Sequence, residues 1–397
     1  MEAYVSDWLN LLVRWLHMIA GIAWIGSSFY FVWLDNHLQP PRAEADRDKG
    51  VGGELWSVHG GGFYHAQKYR VAPPVLPETL HWFKWEAYTT WLSGMFLLVL
   101  VYWLGAEVYL VDPSVASLGP LTASGLSLAF IVAGWFVYDA LCKSPLVQNG
   151  PLFAAVLLVL AALLAWGLCQ LFSGRGAYLH FGAVLGTIMA ANVFFVIIPG
   201  QRQMVAAAER GETPDPLPGI RGKQRSVHNT YFTLPVLFTM ISNHFAMTYN
   251  HEYNWAILIA ISLAGALVRV YFVARHSGRA SPLPIVAAAL LLLIVAVAIA
   301  PRDTAASAGR ADFDAVRTVV HQRCTTCHAE SPEHPGFQAA PAGVVLETDR
   351  QILAEALRIH HQTVLTRVMP IGNLTNITEE ERALIDRWYR TGPGAEQ

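Results

Sequence analysis

Cys324-Thr325-Thr326-Cys327-His328 is the one stretch of this 397-residue chain whose spacing alone dictates a chemistry. Two cysteines three positions apart, followed at once by histidine, can form thioethers to both vinyl groups of a haem while the imidazole ligates the iron. The competing reading is a structural Cys-x-x-Cys zinc knuckle, which needs a second ligand pair. Beyond His328 no cysteine remains, and His334, His360 and His361 are the only candidates. The spacing therefore predicts one covalent haem c on Cys324, Cys327 and His328. Met369, in Val368-Met369-Pro370-Ile371-Gly372-Asn373, is the only methionine after Met247 and is the expected distal ligand of the iron. A thioether opposite imidazole raises the reduction potential and suits electron transfer. His360 or His361 is the alternative ligand.

Two helices are expected to position these groups. Phe313, Val316, Val319 and Val320 recur at helical spacing before the haem motif, and Thr378-Glu379-Glu380-Glu381 is a capping box opening a last helix with Leu384, Ile385 and Trp388 on its apolar side. A unit this small has a modest core, which a covalent cofactor supplements.

Upstream, the composition changes the solvent. Of all residues 54% are apolar and 14% charged, where a soluble chain carries about 25% charged. Runs long enough to cross about 30 Å of hydrocarbon occur near 9–34, 89–111, 121–141, 151–172, 178–199, 230–249, 254–274 and 282–300. The first has no basic leader and reads as a retained helix, not a signal peptide. The expected fold class is all-α: a polytopic helical membrane domain of about eight spans over 1–300, a linker over 301–311, and a small cytochrome c-like helical domain over 312–397. A net charge of −2 gives no reason to expect a nucleic-acid partner.

Charge distribution sets the orientation. The connections after the first, third, fifth and seventh runs hold Arg42, Arg47, Lys49, Lys68, Arg70, Lys84, Lys143, Arg202, Arg210, Arg221, Lys223, Arg225, Arg275 and Arg279; those after the second, fourth and sixth hold only Arg175. Basic loops stay in the cytoplasm, which puts both termini outside a bacterial inner membrane. Haem is attached to such motifs outside the bacterial cytoplasm, so this orientation places Cys324 in the periplasm, as its chemistry requires.

Ionisable side chains inside apolar runs are costly, so each is a candidate for function. His17, His180 and His244 fall in the periplasmic half, with His251 just beyond; Arg269 and Asp139 fall toward the cytoplasm. Arg14, His17, Gly21, Trp24 and Ser28 keep the spacing of one helix face, as do Met240, His244, Met247 and His251. Such faces can simply pack, each imidazole bonded to a carbonyl. Three histidines at matching depth on the side of the haem motif point instead to a redox centre, for which a haem b held by two of them is one form. The segment 35–88 contains His59-Gly60-Gly61-Gly62-Phe63-Tyr64-His65 and Lys68-Tyr69-Arg70, followed by the aromatic run to Glu86. It reads equally as a loop approaching a planar anion and as an interfacial aromatic belt. Cys142 and Cys169 sit at opposite ends of adjacent runs, too far apart for a bridge, and read as small core residues.

Trp15-Leu16-His17-Met18-Ile19-Ala20-Gly21-Ile22-Ala23-Trp24-Ile25-Gly26, the stretch Pro77-Glu78-Thr79-Leu80-His81-Trp82-Phe83-Lys84-Trp85-Glu86 and the C-terminal haem motif occur together. This combination resembles the bacterial membrane-bound urate hydroxylase family, also described as cytochrome c dependent urate dehydrogenase, over essentially the whole chain. The first run is also similar, over a shorter length, to membrane protoporphyrinogen oxidases and copper-resistance proteins. The resemblance implies oxidation of urate to 5-hydroxyisourate in purine breakdown, with oxygen from water and electrons passed through cytochrome c to the respiratory chain. Urate is a flat anion, so a site needs a stacking surface and a fixed donor such as arginine; a base, usually a neutral histidine, must activate water. His17, His244 and Arg269 are the candidate catalytic residues. Two alternatives differ in class: an electron-transfer subunit with no substrate of its own, and a porphyrinogen oxidase-like membrane enzyme.

Overall fold

The computed structural model describes residues 2–278, 281–300 and 312–393. The expected linker, 301–311, and Arg279 lie outside the described residues. The chain opens with α1, Glu2–His37, a single unbroken helix. After the short α2, Glu44–Asp48, two antiparallel strands follow, β1 (Val51–His59) and β2 (Gly62–Tyr69), in one register from Gly53 opposite Lys68 to His59 opposite Gly62, with a shift at Gly52 before Val51 pairs with Tyr69. Gly60 and Gly61 join them at φ of 56° and 80°. Both central residues of this tight hairpin turn are left-handed, a conformation that glycine adopts without penalty. The glycine run forms a hairpin turn, and the fold is mostly helical with one small sheet, not strictly all-α.

The remaining helices of the first 300 residues are α3 (Trp85–Leu97), α4 (Ala106–Tyr109), α5 (Pro120–Lys143), α6 (Gly150–Cys169), α7 (Gly174–Ala191), α8 (Ile198–Glu209), α9 (Pro216–Ile241), α10 (Ala246–Tyr249), α11 (Asn254–His276) and α12 (Leu283–Ala298). Two π-helical turns interrupt the order, Leu98–Trp103 after α3 and Asn192–Ile197 between α7 and α8. Six of the eight apolar runs correspond to continuous helical stretches. By length and composition Tyr4–His37, Pro120–Lys143, Gly150–Cys169, Gly174–Glu209 and Asn254–His276 are able to cross a membrane, and Leu283–Ala298 is a shorter apolar helix. Leu12, Leu16 and Ile19 of α1 and Leu290, Leu293 and Val297 of α12 are exposed, giving an apolar outer surface suited to lipid.

The other two expected spans are broken. The run at 89–111 passes from α3 through the π turn into α4, and the run at 230–249 ends its helix at Ile241, turns through a 3-10 segment at Ser242–His244 and resumes in α10. Ser242 Oγ donates to the Thr239 carbonyl at 2.7 Å, a local bond of the kind that competes with helix propagation, and Phe245 is extended from helical geometry at ψ 65°. Met240, His244, Met247 and His251 thus do not share one continuous helix face, contrary to the expectation from spacing.

The main core lies where α5, α6, α7 and α11 meet, filled by Phe172, Tyr178, Phe181, Val184 and Leu258. Cys142 and Cys169 are buried in it as unbridged thiols. A second core belongs to the C-terminal module, built from α13 (Phe313–Arg323), α14 (Asp349–Ala354), α15 (Ala356–His360) and α16 (Glu379–Thr391). Val316, Val319 and Val320 of α13 meet Ile385 and Trp388 of α16 there, with Phe313 stacked on Trp388 at 5.8 Å. The capping box expected at Thr378 is formed with Glu381, and each such cap is worth about 1 kcal/mol.

Candidate functional site

The haem motif closes α13. Cys324 is its C-terminal cap residue and is buried; Cys327 and His328 follow on the turn, whose backbone is tied by Cys327 N–H and His328 N–H donating to the Cys324 carbonyl at 3.1 and 2.8 Å. His328 Nδ1 donates to the Val344 carbonyl at 2.9 Å. A carbonyl only accepts, so the proton sits on Nδ1 and Nε2 keeps its lone pair, as an iron ligand requires. Burial pushes the Cys324 thiol up to about 12, and that of Cys327 also upward. Among the described residues no three His, Cys, Asp or Glu side chains gather into a metal cluster. The donor set fits a c-type haem, which Cys324, Cys327 and His328 would hold.

Met369 lies on the loop between α15 and α16. Arg367, Asn373 and Asn376 in this loop all have left-handed backbones at φ of 54°, 49° and 53°, each costing of order 1 kcal/mol. Surrounding bonds over-determine that geometry. Arg367 forks onto Glu379 at 3.0 and 2.7 Å, Asn373 Oδ1 accepts from Ile377 N–H at 3.0 Å, and the buried Arg382 guanidinium donates to the carbonyls of Thr363 and, at 3.1 Å, of Met369 itself. Burial lowers the Arg382 pKa, yet the group stays charged at any relevant pH. The alternative ligands are engaged or exposed: His360 is buried, bonded through Nε2 to Asp386 at 2.7 Å and stacked on Tyr389 at 4.3 Å, while His361 is exposed. Burial raises the Asp386 pKa, but hydrogen bonds from Arg390 and His360 outweigh it and hold the carboxyl below the usual aspartate range. Met369→Ala is expected to remove the methionine-to-iron charge-transfer band and lower the potential, and Arg382→Gln to weaken the same band by loosening the loop; an unchanged band in Met369→Ala would assign the ligand elsewhere.

The Met369 loop is seated on the first domain. Asn250 Nδ2 donates to the Thr366 carbonyl at 2.9 Å, Val368 packs against the main core, and a Cβ at Gly372 would stand only 3.2 Å from the Val111 carbonyl. Gly372 has φ 57° as well, so a side chain there would be strained in its backbone and would crowd the Val111 carbonyl. Beneath this contact Arg175 lies 4.9 Å over the Tyr109 ring and donates to Tyr102 OH at 3.3 Å, and Tyr102 meets His180 edge to face at 5.8 Å.

The histidines and arginine singled out in the sequence are not gathered at one point. His17 Nδ1 lies 3.0 Å from the Thr90 carbonyl and 3.1 Å from Ser93 Oγ on α3, again leaving Nε2 with the lone pair. His180 is fully buried and engaged at both nitrogens, by the Gly176 carbonyl at 2.7 Å and Ser127 Oγ at 2.6 Å, so as folded it is a packing residue. His244 is exposed on its 3-10 turn. Arg269 of α11 is buried, stacked 3.8 Å over Phe29 of α1, and its Nε has no acceptor among the described residues. Phe29 is twelve residues beyond His17 on the same helix, about 18 Å along the axis.

A further cluster escaped the sequence reading. Arg225 of α9 bonds Asp139 of α5 at 2.7 Å and Asn192 at 3.3 Å; Asn192 bonds Tyr138 OH at 3.1 Å and Asn229 at 2.8 Å; and Tyr138 OH lies 2.8 Å from His228 Nδ1. Arg225 and Asn229 are four residues apart on one helix face, which was a legible signal. Asn192 was hidden in an apolar run, and the π turn that aims it inward is a tertiary feature common at functional sites.

A family model described as urate oxidase N-terminal matches residues 3–300. No curated protein and no solved structure matches the chain. The matched region holds α1 to α12, and so includes His17, Arg269 and the surface that receives the Met369 loop. The chain belongs to the urate oxidase N-terminal family, and is related to proteins that oxidise urate.

Proposed function

We propose that this protein is a membrane enzyme that oxidises urate to 5-hydroxyisourate and delivers the electrons to haem c held by Cys324, Cys327, His328 and Met369, and from there to the respiratory chain. The family match supports urate over a porphyrinogen as substrate. The observation that carries the coupling is the seating of the Met369 loop on the family-matched domain through Asn250, Val368 and Gly372. A substrate-oxidising domain and a one-electron carrier need a short, fixed approach. In this reading the membrane is the bacterial inner membrane, with the C-terminal module on its periplasmic side.

The balance is urate plus water giving 5-hydroxyisourate, two protons and two electrons. Haem supplies a one-electron acceptor at the Met369 loop when bound. Arg269 anchors the anion: its guanidinium is already held flat on Phe29 and has Nε to offer, and arginine binds planar anions through paired donors. His17, with Nδ1 turned to the Thr90 carbonyl, has Nε2 free to take a proton or ligate a metal, and His244 is its nearest counterpart by sequence depth. The separation of Arg269 from His17 assigns them different tasks, anion binding and redox or proton transfer. A haem b in the membrane domain would draw on His17, not on His180.

Urate added to washed anaerobic membranes is expected to reduce haem c, whereas a purely electron-transferring subunit stays oxidised until a quinol or partner is supplied. Absence of urate-driven reduction in preparations that ascorbate reduces fully would reject the proposal. His17→Gln is expected to lower the rate of that reduction up to about 100-fold, the scale of disturbing a metal site or its ligand shell, with haem c content kept. A residue that only packs would instead cost about 1 kcal/mol of stability and leave the rate per folded molecule near normal.

A further inference from the structure

A cavity of about 430 Å³ opens between the start of α3 and the wall made by the second π turn and α8. It is lined by two cations, Lys84 and Arg202, and four flat surfaces, Trp85, Tyr88, Phe194 and Phe195. Lys84 Nζ lies 6.0 Å from the Trp82 ring and 5.9 Å from that of Trp85. Neither Lys84 nor Arg202 has a carboxylate partner among the described residues. Behind the cavity Trp24 of α1 and Trp82 pack on Ala87, Val193 and Ile198. The two N-terminal stretches quoted for the resemblance thus meet at its floor. The π turn serves both sides, turning Asn192 into the buried Arg225 network and Phe194 and Phe195 outward onto the cavity.

Location narrows the role. Lys84 is separated from the haem-module contact at α4 by the 19 residues of α3 and its π turn, about 28 Å at helical rise. Arg269 of α11 and Phe83, the neighbour of Lys84, meet the same turn of α1 on different faces, Arg269 lying 3.8 Å over Phe29 and Phe83 4.8 Å from Phe31. Two unpaired cations flanked by aromatic faces at a mouth of this volume fit a ligand that is both flat and negatively charged. We infer that the Lys84–Arg202 cavity is a capture site for a planar monoanion, the urate anion in the proposed function. This identity of the anion rests on the proposed function; the cavity's preference for a flat anion does not.

The test uses the full-length holoprotein in phosphatidylcholine nanodiscs, with haem kept reduced by ascorbate so that bound urate is not consumed. Equilibrium dialysis with radiolabelled urate is expected to show saturable binding that weakens about tenfold in Lys84→Gln/Arg202→Gln, the scale of losing charge-assisted contacts. Lys84→Arg/Arg202→Lys is expected to retain it, and hypoxanthine, a neutral ring of the same shape, to bind at least about tenfold more weakly than urate. All variants are compared at equal haem c content and monodisperse elution. Wild-type affinity in the Gln pair, equal loss in the charge-keeping pair, or equal binding of hypoxanthine would each overturn the inference. So would displacement of urate by phosphatidylglycerol with loss of that lipid in the Gln pair, which would mark a lipid headgroup site. Urate binding that depends on Lys84 and Arg202 in a protein whose oxidised haem urate never reduces would retain the capture site and reject the proposed function.

Discussion

A protein carrying both Cys324→Ala and Cys327→Ala is expected to insert in membranes and to show no haem staining on a denaturing gel. Thioether bonds survive denaturation, whereas iron ligation by His328 and Met369 does not, so the readout isolates the covalent link. The effect is all or none because no other cysteine lies in the C-terminal module. The module is also expected to lose much of its stability, since its core is small and built around few large side chains, Ile352, Ile385 and Trp388 among them. Staining retained in the double variant would mean that Cys142 or Cys169 carries the cofactor. Their burial inside the membrane-domain core argues strongly against that.

The second large effect is expected at Arg269, and its direction differs for activity and stability. Arg269→Gln is expected to reduce kcat/KM for urate on the order of 100-fold, the equivalent of about 2.7 kcal/mol, within the range for a hydrogen bond to a charged group. The same change removes a buried guanidinium that lacks an acceptor at Nε. Burying charge without a partner is unfavourable, so the variant should unfold at the same temperature as the parent protein or a higher one. Thermal unfolding followed beside urate kinetics separates the two roles. An arginine that serves the fold through its stack on Phe29 would show the reverse, a lower unfolding temperature with kinetics per folded molecule preserved.

Much of this architecture was legible in the residues. The capping box at Thr378 is a local signal whose physics is complete within a few positions, and the cap formed where it was expected. Six of the eight apolar runs marked continuous helices for the same reason, since hydropathy is summed along the chain. His17, Gly21 and Trp24 do share a face of α1, and that face meets Thr90 and Trp82.

What the residues left open depended on partners distant in sequence. The glycines at 60 and 61 read equally well as a ligand loop until β1 and β2 paired across them. His180 had the burial and depth of a ligand until Ser127 and the Gly176 carbonyl took both ring nitrogens, a contact between helices that no local pattern encodes. The helix break at Ser242, the π turn that aims Asn192 at Arg225, and the seating of Gly372 against Val111 are likewise decided by packing. Local sequence determined which residue types could do chemistry and which segments were helical, because spacing, capping and hydropathy act along the chain. Only the tertiary structure decided which of those residues have a free nitrogen, an unpaired donor or a neighbouring domain, because hydrogen-bond satisfaction and close approach are settled between segments that sequence keeps apart.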